Sequence, residues 1–230
     1  MADALVTPAL LTWARQRDGF HSEATLAQKL NVAVDKVVAW ESGGAKPTFV
    51  QAQKLAKVTN TAFGYLFLDN PPQEVLPIPD LRTVKHGGVD QPSAELRDIV
   101  TQLLQQQAWY KDYLLAQNSD DLPFVGRFNV GSRVGEIVTD IRSTLKIEQP
   151  AKGGWQNYHT VLLKAVEAAG VLVMRSGIVG SNTRRKLAID EFRDFALSDK
   201  KAPVIFINSS DVPAARLFTL IHELAHIWVG

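Results

Sequence analysis

The sequence holds no cysteine. Disulfide scaffolds, cysteine-ligated zinc and thiol nucleophiles are therefore excluded, and the absence is compatible with a reducing compartment. Neither charge is in excess: 25 Lys and Arg stand against 24 Asp and Glu over 230 residues, a formal net charge of +1. No global positive field announces nucleic acid or an anionic membrane, so binding to either must come from a local patch. Long apolar runs are missing too. Val204–Ile207 and Val171–Met174 fall far short of the ~18 residues a spanning helix needs. Residues 1–11 lack a basic stretch followed by an apolar one, so no secretory signal is read there. The expectation is a soluble, cytoplasmic protein.

What is present is a globular balance, 46% hydrophobic and 21% charged, enough apolar residue to bury a real core. Residues 7–70 read as short helices with tight turns. Pro8 opens a helix that Asp18-Gly19 closes after Arg17. Ser22 caps a second, Glu23 to Leu30, with Leu26, Ala27 and Leu30 on one face. A third runs from about Ala33 to Ser42 and ends at Gly43-Gly44. Thr48 caps a fourth, Phe49 to Val58, and Phe63, Leu66, Phe67 and Leu68 suggest a last short one. Two helices joined by about three residues inside an all-helical unit is the helix-turn-helix arrangement.

The order Leu26-Ala27, Leu30-Asn31-Val32, Val37, Trp40-Glu41-Ser42-Gly43, Pro47-Thr48 and Leu55-Ala56 resembles the Xre/Cro-type helix-turn-helix family over about residues 8–68. The resemblance implies that the third helix points its start into the major groove of double-stranded DNA. The matching positions are Val34, Asp35 and Lys36, with Ser22 at the start of the second helix. Of these Lys36 is the good donor to bases or phosphates; Asp35 is repelled by phosphates but can accept from a cytosine amino group. Residues 1–70 carry seven basic and six acidic side chains, a weak field for a module that contacts many phosphates. The competing reading is a protein-interaction or homodimer surface on Val34 and Val38. Glu41 is read as bonding within the domain, and Trp40 as core.

Proline and glycine density over residues 71–92, with Pro71, Pro72, Pro77, Pro79, Gly87-Gly88 and Pro92, marks a linker and a domain boundary. The remaining 93–230 begins with a helix capped by Ser93, running to about Gln117, on which Trp109, Tyr110 and Tyr113 are read as packing residues. Amphipathic helices follow over 131–146 and 155–169. The period then shortens: Val171–Met174, Phe192–Leu197 and Val204–Asn208 read as strands. Arg184-Arg185-Lys186 reads as a solvated loop. Pro213 starts a final helix that runs to the last residue. The fold class is mainly α with a small sheet, α+β.

That last helix contains His222-Glu223-Leu224-Ala225-His226. Residues four apart share a helix face, so two imidazoles so placed can converge on one zinc ion. Glu223, three residues before His226, can take a proton from water and pass it to a leaving amine. Asn208 at the end of the preceding strand and Thr219 one turn before the motif are candidate supports behind those three. An edge strand placed before such a helix often binds a peptide by strand addition. His21, His86 and His159 are read as surface or satisfied core residues.

The words Phe195-Ala196-Leu197, Val204-Ile205-Phe206-Ile207-Asn208, Ala215-Arg216-Leu217-Phe218-Thr219-Leu220 and the motif itself look like the ImmA/IrrE family of zinc metallopeptidases. Pro79-Asp80-Leu81-Arg82 is similar to a segment in members that carry an N-terminal Xre domain. The resemblance implies a zincin-like fold over 93–230 with His222 and His226 on zinc, Glu223 as general base, and a protein substrate, typically a helix-turn-helix repressor. It also implies a third zinc ligand, usually Glu, on a helix downstream of the motif. The sequence stops at Gly230, four residues after His226. Upstream, Asp190, Glu191, Asp194, His159 and Asp199 have the right chemistry but read as solvated surface residues. The expectation is a metallopeptidase-type site left incomplete in this chain, the domain being interrupted. The alternatives are a repressor or antitoxin whose peptidase-like region only senses, and a partner-binding scaffold without a DNA role.

Overall fold

Proline, capping hydroxyls and left-handed turn residues start and stop the helices of the N-terminal part where the sequence places them. In a computed structural model that describes residues 2–72, 92–148 and 155–230, α1 is Pro8–Arg17 and α2 is Glu23–Leu30. The Ser22 hydroxyl accepts from Thr25 N at 3.3 Å, and Asn31 closes α2 at φ 55°. After α3, Val34–Glu41, Gly43 turns at φ +77° with Pro8 Cγ 3.4 Å from where a Cβ would stand. Helix α4, Phe49–Val58, opens on a reciprocal cap: Thr48 Oγ1 accepts from Gln51 N and Gln51 Oε1 accepts from Thr48 N. A 3-10 turn, Phe63–Phe67, completes the unit. Leu11, Leu26, Val37, Trp40, Leu55 and Leu66 form its core.

One charge sits inside that core. Arg15 is 5% exposed. Its guanidinium donates to both Glu41 oxygens at 2.8 and 2.9 Å, to Glu23 Oε1 at 2.9 Å and to the Phe20 carbonyl at 3.1 Å. Thr12 Oγ1 adds a bond to Glu41 Oε2. Glu41 therefore bonds within the domain, as its position suggested, and holds the Arg15 guanidinium above its ordinary pKa against the opposing effect of burial.

The chain divides into two units, Met1–Val75 and Leu76–Gly230. The expected linker, with Pro79-Asp80-Leu81-Arg82 and His86, falls largely on residues 73–91, outside the described residues. In the second unit α5 is Ala94–Ala116, α6 Val134–Leu145 and α7 Trp155–Ala168. Helix α6 starts three residues later than its apolar period suggested. Asn129 Oδ1 accepts from Gly131 N and Ser132 Oγ accepts from Asn129 N, which holds 129–132 as a turn.

Strands β1 (Leu172–Ser176), β5 (Val204–Asn208) and β4 (Asp194–Leu197) form one sheet in the order β1-β5-β4. Strand β1 runs parallel to β5, and β4 antiparallel. Alternation gives the sheet two apolar faces. Val173, Ile205, Ile207 and Ala196 share a cluster with Leu220 and Leu224 of α8 (Pro213–Val229). Leu172, Met174, Val204, Phe206, Phe195 and Leu197 share one with Leu96, Ile99, Val100 and Leu103 of α5. The sheet is thus covered on both faces, and all five residues of β5 are buried.

Four expectations change. The strand before the final helix, β5, is the central one, hydrogen-bonded on both sides, so it has no open edge for a peptide; β1 and β4 are the edges among the described residues. Arg184-Arg185-Lys186 is not a loop but lies in β3 (Asn182–Lys186), paired with β2 (Ile178–Val179). The turn chemistry of Gly180-Ser181-Asn182 was the available signal. Arg185 points into the unit and pairs with Glu95 at 3.0 Å and Asp98 at 2.7 Å on α5. Of the acids read as solvated, Asp194 is fully buried, Glu191 accepts from Ser93 N and Oγ, and Asp199 pairs with Lys111; Asp190 is exposed as read. Trp109 and Tyr113 are not packing residues but stand in solvent.

Candidate metal centre

Between Leu217 and Trp228 the only ionisable groups of α8 are His222, Glu223 and His226. The helix forms because this run is apolar and begins at Pro213, whose missing N–H is harmless in a first turn. Its start is tied to the end of β5. Arg216 donates to the Asp211 carbonyl at 2.8 Å and the Ser209 carbonyl at 2.6 Å. Its end is tied by segment 122–128: Gly126 N and Phe128 N donate to the Ile227 and Trp228 carbonyls at 3.0 and 2.9 Å. Trp228 stacks on Phe124 at 4.2 Å and donates its indole N–H to Asp140 Oδ2 of α6 at 2.7 Å. Arg127 holds the other oxygen of Asp140. The turn that carries His226 is therefore fixed from two sides, by segment 122–128 and by α6.

On this helix the imidazoles of His222 and His226 meet edge to face, with Nε2 atoms 3.0 Å apart. Two nitrogens each about 2.0–2.1 Å from a tetrahedral zinc stand about 3.3 Å apart. The donor pair thus has the bite of a chelate before any ion is added. Both rings are half-buried, and Glu223 is 2% exposed with Oε1 4.0 Å from His222 Nε2. The ligand atoms of the three residues lie within 4.8 Å of one another, and among the described residues they are the one such group of three. His159, Asp190, Glu191, Asp194 and Asp199 do not join them. Phe218, 59% exposed, stacks on His222 at 6.4 Å and borders the site with an aromatic ring.

The two candidate supports differ. Thr219 is buried on α8, one turn before the motif. At about 100° per residue it falls on the helix flank between the histidines and Glu223. Asn208 spends its side chain elsewhere: Nδ2 donates to the Phe192 carbonyl at 3.3 Å and Oδ1 accepts from Ser210 N at 3.1 Å, shaping the turn after β5. Asp140, Arg127 and Arg216 were not singled out from sequence. Asp140 acts on Trp228 across a fold contact 88 residues long that no local spacing encodes, whereas Arg216 holds carbonyls only five and seven residues before it. His159 lies half-buried on α7 with Nε2 sealed from solvent and without a hydrogen-bond partner. Burial, then the charges of Arg175 and Arg216, lower its pKa.

In the N-terminal unit Val34, Asp35, Lys36 and Val38 stand exposed on α3. Ser22 is half-buried, its hydroxyl occupied in capping α2.

Residues 166–230 match the family model described as the IrrE N-terminal-like domain, peptidase M78. The match begins in the last turn of α7 and takes in both sheets and all of α8. The match supports a metallopeptidase-like region over this stretch. Comparison with curated proteins and with solved structures gives no match. No helix among the described residues is long and apolar enough to cross a membrane.

Proposed function

We propose that the C-terminal unit is a zinc-dependent peptidase domain acting on proteins. The observation that carries the reading is the 3.0 Å pair of imidazole nitrogens beside a buried Glu223, set in the stretch that matches the peptidase M78 model. His222 and His226 would hold the ion. They supply two of the three protein ligands usual at catalytic zinc, and no other ligand-type side chain joins them among the described residues. Zinc bound there supplies a Lewis acid that polarises the scissile carbonyl and makes water acidic near neutral pH. Glu223 then takes the proton from the attacking water and returns it to the leaving amine, two transfers of one proton by one carboxylate. Burial of Glu223 keeps bulk water from competing for that proton.

The test is hydrolysis of an unfolded protein substrate by the zinc-loaded chain and by Glu223→Gln. Cleavage that falls about 10²–10⁴-fold while zinc stays bound supports the reading. Equal cleavage by both proteins contradicts it.

The N-terminal unit is proposed to make the whole chain a transcriptional regulator, reading double-stranded DNA with Lys36 and Asp35 of α3, with a repressor as the protein cleaved. The exposed Val34 and Val38 on that helix favour a second reading, in which the unit docks a protein partner and the peptidase-like region serves as a sensor. A gel shift against the upstream region of its own gene at two salt concentrations separates them. Specific retention that weakens with salt supports DNA, and its absence at low salt supports the protein partner.

A further inference from the structure

Helix α5 buries one side and leaves the other unlike a solvent face. Leu96, Ile99, Val100 and Leu103 face the sheet. Gln107 on that side donates to the Leu197 and Ala202 carbonyls, and Lys111 pairs with Asp199. The opposite side carries Gln102, Gln105, Gln106, Trp109, Tyr113 and Ala116. Outward faces of surface helices are normally charged; from Thr101 to Ala116 this one has a single carboxylate, Asp112, at its edge. Trp109 is 70% and Tyr113 51% exposed, their rings stacked 6.2 Å apart, with Tyr110 stacked on Tyr113 at 6.3 Å. The steps from Gln102 to Gln106, Trp109, Tyr113 and Ala116 are four, three, four and three residues, the spacing that one helix presents to another in left-handed pairing.

We propose that this face is a self-association surface, on which α5 of one copy packs against α5 of a second. The occupant is a second copy because the face is neutral along its middle, so a twofold pair meets without burying charge, and because an isologous contact asks only that one stripe match itself. A charged partner would find no opposite charge to answer it. The exposed 70% of Trp109 and 51% of Tyr113, out of about 150–250 Å² for a fully buried aromatic, give about 500 Å² over two copies, and the glutamines around them bring the contact toward the order of 1,000 Å². That is the low end of specific interfaces and fits a reversible dimer. The pairing would bring two N-terminal units into one particle without using Val34 or Val38.

The test is sedimentation of the full chain from low-micromolar to sub-millimolar concentration, beside Trp109→Lys and Tyr113→Lys. The expected result is a weight-average mass that climbs from 25.4 kDa toward twice that value. Both variants stay at the monomer mass with unchanged far-ultraviolet circular dichroism. A wild-type chain that stays monomeric throughout overturns the proposal. So does a dimer that survives Trp109→Lys, which would place the contact elsewhere, on α3 or on the exposed valines of α6. If either variant misfolds, the absence of native cysteine provides an independent readout. Gln106→Cys treated with a short bis-maleimide should give cross-linked dimer, and Val138→Cys on α6 should not. The reverse pattern overturns the proposal.

Discussion

Two glutamates, one in each unit, are almost equally buried, their side chains 8% and 3% exposed for Glu41 and Glu223. Glu41 is fastened: a guanidinium grips both oxygens and a threonine hydroxyl adds a third bond. Glu223 lies beside two imidazoles, on a helix whose ends are held by other residues. In the first case burial serves the fold, because a paired carboxylate and guanidinium lock α1 to α3. In the second it is the helix that is held, because Arg216, Asp140 and the backbone of 122–128 fix α8, on which the three ionisable groups are gathered in one place. Buried charge alone therefore does not mark a site; what holds the element, and what the charged groups are gathered around, does.

The contrast breaks most visibly at Arg15. Arg15→Ala leaves Glu41 buried without its cation, and a loss of about 3–5 kcal/mol is expected, read as earlier unfolding of the N-terminal unit in denaturant. The double replacement Arg15→Leu with Glu41→Leu should recover much of that loss, since no lone charge remains. A single substitution that leaves stability unchanged would show that the network is not what locks α1 to α3.

A smaller effect is expected at Asp140. Asp140→Asn weakens the grip on Arg127 and the Trp228 indole, at a cost of about 1–3 kcal/mol in the C-terminal unit. Because Trp228 shares the last turn with His226, zinc affinity should fall too, by less than the about 10–100-fold that follows loss of a residue bonded directly to a ligand, read by competition with a chelating dye. Lost stability with unchanged zinc affinity would separate the helix end from the site.

The smallest effect is a pH dependence. His159 has a pKa lowered by burial and by Arg175 and Arg216, so the unfolded chain takes up its proton more readily than the folded one. Stability of the C-terminal unit should be full above the ordinary histidine value of about 6.5 and decline as pH falls through the window below it. His159→Gln should flatten that decline, seen in unfolding curves across pH. An unchanged slope would assign the decline to another group.

Much of this was legible in the chain. Caps and breakers act within a few residues, so Ser22, Thr48, Ser93 and Pro213 located helix starts to within a residue. The motif on α8 was legible for the same reason: its three residues meet through helical geometry alone. What was not legible depends on contacts between elements distant in sequence. The central place of β5 follows from its pairing with β1 and β4. The burial of Asp194 and the ion pairs of Arg185 follow from packing against neighbours some tens of residues or more away. Trp109 shows the converse. Its place in an amphipathic period suggested core, yet the C-terminal half of α5 carries Trp109 and Tyr113 on the face turned from the sheet.

The most direct test of the central claim is metal stoichiometry by native mass spectrometry on the full chain after incubation with zinc and removal of excess, beside His222→Ala. The account predicts one zinc per chain, lost in the variant, because it assigns the ion to the 3.0 Å imidazole pair. No zinc on the unaltered chain, or equal zinc on both proteins, would contradict it.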